Sequence, residues 1–124
     1  MAKIEITIGK VILIVDCLDT PTARLILEAL PFSSSAQTWG KEVYFLTPVH
    51  AEKEPDAKEV IEPGEIAFWV EGSCIAIGYG PTPISNGNEI RLAAKTNIWA
   101  HSQDDLSTLS KVNPEDQVSL KLHD

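Results

Sequence analysis

Basic residues are few and scattered in this chain of 124 residues: ten Lys and Arg stand against eighteen Asp and Glu, a formal net charge of −8. Gripping a phosphate backbone needs clustered Lys and Arg, so this balance speaks against nucleic acid as a partner, and equally against an anionic membrane surface. The acidity itself reads as solubility. Cysteine is nearly absent. Cys17 and Cys74 lie far apart with no paired spacing, which points to reduced core residues rather than a disulfide. Long apolar runs are missing too. Val11 to Val15 is stopped by Asp16, whereas a membrane span needs about 20 such residues. The first residues carry no signal-peptide pattern, so the expectation is a cytoplasmic protein without a membrane partner.

Reaction motifs are equally sparse. There is no Gly-x-Ser-x-Gly elbow. Cys17 has Asp16 and Asp19 beside it, and carboxylates disfavour a thiolate. Gly78-x-Gly80 is the start of a nucleotide loop only in part, because Pro81 and Pro83 forbid the helix that receives the phosphate. His50, Glu52 and Glu54 alternate and would share a face on a strand, but the Cys/His spacing of a structural zinc site is absent. No metal and no cofactor are expected.

What is present is a core-forming composition. Apolar residues make up 44% of the chain, and this length is one domain, residues 1–124, that buries roughly two-thirds of its unfolded surface without a staple. Ile4, Ile6 and Ile8 alternate with Glu5 and Thr7, the pattern of a half-buried strand. Gly9-Lys10 then turns into Val11 to Val15, a β-branched, apolar segment read as a more central strand. Asp19-Thr20-Pro21 opens a helix, with Thr20 or Asp19 as cap and Pro21 at its first position. Ala23, Ile26, Leu27 and Leu30 form its core stripe, and Pro31 ends it. Further strands are expected at Val43–Leu46, Ile66–Val70, Cys74–Tyr79, Ile98–Ala100 and Val118–Leu122. A short helix is expected over Asp104–Lys111, capped by Ser102. Seven or eight short strands and two short helices suggest a closed, mainly antiparallel barrel.

Six of the eight aromatic residues fall in three segments, each coupled to a backbone breaker: Trp39-Gly40-Lys41-Glu42-Val43-Tyr44-Phe45, Pro63-Gly64-Glu65 with Phe68-Trp69, and Tyr79-Gly80-Pro81-Thr82-Pro83. Together with Leu30-Pro31, and in the same order, these segments resemble the small uncharacterised bacterial and archaeal proteins of cyclophilin-like fold. Tyr79 stands where that family has Phe. The resemblance implies a closed eight-stranded β-barrel capped by one or two short helices. It implies less about activity, since fold does not determine function. Cyclophilins that isomerise X-Pro bonds use an arginine beside a proline pocket. This chain has two arginines, Arg24 on the helix and Arg91 after the Ser85–Asn88 turn, and neither has that context.

The aromatic segments remain as the candidate site. Alternation puts Glu42, Tyr44 and Leu46 on one strand face and Val43 and Phe45 on the other, and it sends Phe68 and Trp69 opposite ways. One set fills the barrel, and the other is covered by loops or lines a groove. The groove reading takes Trp39, Tyr44, Trp69 and the Pro81–Pro83 corner as walls, with Glu42 and Thr82 as its polar groups. The function drawn is a non-catalytic binding module for a peptide or small ligand. A divergent peptidyl-prolyl isomerase is the alternative, and self-association through a sheet edge is a third reading.

Overall fold

The computed structural model of the chain describes residues 2–124. Its strands are β1 (Lys3–Ile8), β2 (Val11–Cys17), β3 (Phe32–Ser35), β4 (Gln37–Thr38), β5 (Glu42–Leu46), β6 (Lys58–Ile61), β7 (Glu65–Trp69), β8 (Cys74–Gly78), β9 (Ile90–His101) and β10 (Gln117–Leu122). One α-helix, α1 (Pro21–Ala29), follows β2, and a 3-10 helix (Leu106–Lys111) precedes β10. The strands pair in the order β3-β10-β1-β2-β9-β7-β8-β5-β4, with β6 branching from β9. Since β3 and β4 follow one another in the chain, and β3 also meets β5, this path of nine curls back on itself into a nearly closed barrel. It is the mainly β cyclophilin-like barrel that the motifs imply, with nine strands on the path instead of eight. No helix among the described residues is long and apolar enough to cross a membrane.

The period-two patterns decide what faces inward. Ile4, Ile6 and Ile8 of β1, Val43 and Phe45 of β5, Phe68 of β7, Ile75 and Ile77 of β8 and Val118 and Leu120 of β10 share one buried core. Trp99, Phe45 and Phe68 are its largest fully buried side chains. In β2 the alternation also holds: Ile12 is 60% exposed, so that strand is not apolar on two buried faces.

Helix α1 begins as its residues dictate. Thr20 Oγ1 accepts from the Ala23 N–H at 3.1 Å, and Pro21 occupies the first turn, where no donor is needed. Its inward face is Thr22, Ala23 and Ile26, while Leu27 and Leu30 are only partly buried against the core. Ile26→Ala is therefore expected to cost about 2–5 kcal/mol and lower the melting point by several degrees, and Leu27→Ala distinctly less. Equal losses in thermal denaturation would mean that the helix sits with a different face inward.

Three local expectations are corrected. The segment ending at Lys111 is a 3-10 helix capped by Asp105, which accepts from the Ser107 N–H at 3.0 Å. Ser102 stands one turn earlier, where its hydroxyl accepts from the Asp104 N–H at 3.2 Å and donates to the Ile14 carbonyl at 2.9 Å. β9 is twelve residues long, not three. Its first part pairs with β6 and its last part with β7 and β2, with register shifts in between. The low strand propensity of Ala93-Ala94 hides this continuity.

A second, smaller apolar cluster lies on the barrel's outer face. Ile61, Ile90 and Leu92 of the β6/β9 ribbon pack there on Ala67 and Ala76 of β7 and β8. Gly78 belongs to the same contact: a Cβ built on it would lie 2.4 Å from Ile90 Cγ2.

Candidate functional site

The side chains that β5, β7 and β8 turn outward are of very unequal size. In register, Tyr44 faces Ala76, Glu42 faces Gly78, and Trp69 faces Cys74. Small residues on the middle strand between bulky ones on its neighbours make a trough. The β6/β9 ribbon closes one side of it with Leu92, Ala93, Ala94 and Thr96, leaving a cavity of about 200 Å³. Trp39, Tyr44 and Trp69 supply its aromatic walls, Ala76 its floor, and Glu42 its one carboxylate.

Trp39 is placed by a tight hairpin between β4 and β5. The Trp39 N–H donates to the Glu42 carbonyl at 2.9 Å, and the Glu42 N–H donates back to the Trp39 carbonyl at 3.1 Å. Gly40 makes the turn with φ of +58°, a conformation in which a side chain is strained. The turn is then clamped to the proline corner. The Lys41 N–H donates to the Pro81 carbonyl at 3.1 Å, the Tyr79 N–H donates to the Lys41 carbonyl at 2.8 Å, and Gly40 lies against Thr82 and Pro83. The Trp-Gly and Gly-Pro-Thr-Pro motifs are thus packing partners. Trp69 rests its six-membered ring on Gly72, where an added Cβ would come within 2.3 Å of the ring.

The structure brings four of the five expected site residues together: Trp39, Glu42, Tyr44 and Trp69 line one cavity. Thr82 does not line it. Its hydroxyl donates to the Arg91 carbonyl and its N–H donates to Ser85 Oγ at 2.9 Å, so it fastens the proline corner to the start of β9. The lining residues of β9 were not anticipated, because that stretch shows no clean strand alternation; Ala76 sat unnoticed in an apolar strand.

Glu42 dominates the electrostatics. It is 7% exposed, and its Oε1 is buried without a hydrogen-bond partner. No lysine or arginine lines the cavity. Burial alone pushes its carboxyl up to about 7. Cys74, on the neighbouring strand, is raised first by its own burial and then by Glu42. Cys17 is pushed up to about 11 by burial and by Asp16, and is no nucleophile.

The other polar candidates are committed elsewhere. The Arg91 guanidinium is held by Glu89 at 2.7 Å and by Glu59 at 3.3 Å, and Arg24 pairs with Asp19. Glu54 accepts from the N–H and hydroxyl of Thr22, and His50 meets Ser73 Oγ at 3.0 Å. Among the described residues no group of three His, Cys, Asp or Glu side chains is arranged to hold a metal.

A barrel with its cavity on the outer face of three strands defines the class, and comparison with known proteins gives the family. The chain belongs to the family described as cyclophilin-like, whose model matches residues 2–121. It is similar to a hypothetical protein from Archaeoglobus fulgidus known from a solution structure, at 33% identity and a TM-score of 0.83, over 98% of this chain and 95% of that one. McbB, determined in complex with tryptophan, shares the fold at 14% identity and a TM-score of 0.69, over 95% of this chain and 44% of McbB. No match was found among curated proteins.

Proposed function

We propose that this chain is a non-catalytic binding module that holds a small ligand, or the end of a peptide, in the outer-face cavity. One observation carries this: Glu42, whose Oε1 is buried without a partner, lines a space of about 200 Å³ together with three aromatic side chains. Apolar walls with one or two oriented polar groups are the usual make-up of a small-molecule site. A buried acceptor left unsatisfied costs stability, and a ligand donor removes that cost. The tryptophan bound by McbB supports a small ligand in this fold.

The isomerase alternative lacks its reagent. Both guanidinium groups are paired with carboxylates, and neither lines the cavity. In a protease-coupled assay, X-Pro peptides should isomerise on the uncatalysed scale of tens to hundreds of seconds. Clear acceleration, lost in Trp69→Ala, would promote the enzyme over the module.

Binding is tested by following the indole N–H resonances while adding indole, toluene or 1-butanol as probes. Trp39 and Trp69 line the cavity, whereas Trp99 is fully buried in the core. Saturable shifts at Trp39 and Trp69, with Trp99 unmoved, are expected. Shifts at none of the three with any probe would remove the site.

A further inference from the structure

Resting on the binding-module reading, the geometry points to the chemical class of the ligand: we propose that the cavity takes a small organic cation, an alkylammonium or its N-methylated form, with nitrogen against Glu42 and carbon chain between Trp39, Tyr44 and Trp69. Three features select this class. The first is Glu42 itself, 7% exposed and with Oε1 unpartnered. An ionised carboxylate held there without a counter-charge is costly, and none of the described residues supplies one. Lys41, next in the chain, lays its aliphatic stem over Gly80 and does not line the cavity. Lys58 is bound to Glu65 at 2.8 Å, and Arg91 is bound to Glu89 and Glu59. Tyr44 shares the lining and Cys74 feels the charge of Glu42, and neither of them is a cation at neutral pH.

The second feature is the aromatic set. Ring faces carry negative electrostatic potential, and a cation surrounded by Trp and Tyr faces is attracted to each of them, most strongly where water is excluded. An anion would be repelled by the rings and by Glu42 together. A neutral donor such as an alcohol would satisfy Oε1 and leave the charge of the ionised form unmatched. The third feature is the net charge of −8, which raises the concentration of cations at the surface and speeds their arrival.

The pH dependence follows from the same group. Burial holds the Glu42 carboxyl near 7, so the cation must meet a site that is partly protonated at neutral pH. Binding to the carboxylate releases that proton. Affinity should therefore climb as pH rises and level off above about 8, falling roughly tenfold for each pH unit well below 7.

The test compares butylammonium, 1-butanol and butyrate at pH 8, read at the indole resonances of Trp39 and Trp69. Butylammonium should bind at least tenfold more tightly than 1-butanol, and butyrate should not bind. Glu42→Gln should abolish the amine's advantage, bringing amine and alcohol to within about twofold of one another. The position of the Trp99 resonance shows whether that variant remains folded, and Glu42→Met serves as a second variant. Equal binding of amine and alcohol, or an amine preference that survives Glu42→Gln, would overturn the cation while leaving the binding module standing. Failure of every probe would bring both down.

Discussion

Trp99→Ala is expected to remove about 3–5 kcal/mol, a large share of the roughly 5–15 kcal/mol that holds a domain of this kind together. Trp99 heads the fully buried side chains, and its Nε1–H donates to the Ala67 carbonyl at 3.3 Å. It projects inward from β9 where that strand pairs with β7. Truncation leaves a void bordered by strands that cannot close it without breaking register, so little of the lost contact is recovered. In urea denaturation the midpoint should fall steeply with the slope unchanged. Retention of the wild-type midpoint would show that the barrel interior does not depend on this side chain.

A second large effect is expected at Glu42, with a sign opposite to the usual one for a carboxylate. In the unfolded chain its pKa returns to the ordinary 4.5, and in the folded protein burial holds it at about 7. Between these values the folded state binds more protons than the unfolded state, so stability drops as pH rises through the window. The contribution is absent below 4.5 and complete above 7, about 3 kcal/mol in all. Glu42→Gln should match the wild type near pH 4.5 and exceed it at pH 8. Melting curves of the two proteins across this range isolate the single group, because the carboxylates Glu71, Glu89 and Asp105, whose partners hold them low, are common to both. Identical curves would mean that Glu42 reaches water. A saturating cationic ligand should close the gap from the wild-type side, by stabilising the ionised form.

Much of this molecule can be read from residue patterns, for identifiable reasons. The alternation in Ile4–Ile8 and Glu42–Leu46 survives because each of these strands has one face in the core. The start of α1 is legible because Thr20 and Pro21 act on backbone groups within one turn. Trp39, Glu42, Tyr44 and Trp69 could be singled out because an aromatic turned away from a barrel needs a covering partner. What covered them was not legible. Leu92 to Thr96 reach the cavity through the long-range pairing of β9 with β6, across a register shift that no local pattern announces. Thr82 was misplaced for a related reason. A stiff corner bearing a hydroxyl looks the same in sequence whether it faces a ligand or, as here, ties two backbone segments together. Asn97 was passed over entirely. It is fully buried, donates to Thr22 Oγ1 and to the Glu52 carbonyl, both at 2.9 Å, and accepts from the Glu54 N–H at 2.8 Å. Its three partners are 43 to 75 residues away in the chain.

Strands β5, β7 and β8 each serve two compartments, one face turned to the barrel interior and the other to the cavity. Insertion or deletion of one residue in such a strand exchanges the two faces from that point on. In β5 it would send Glu42 and Tyr44 into the core and put Val43 and Phe45 against the cavity, so that interior and cavity are lost in one event. Point substitution carries no such linkage, because Tyr44 or Trp69 can change while Phe45 and Phe68 keep the interior intact. Descendants of this barrel are thus free to vary the cavity lining by replacement at constant strand length. Changes in chain length are expected instead in the connections, such as the segment between β5 and β6 or the turn before β9.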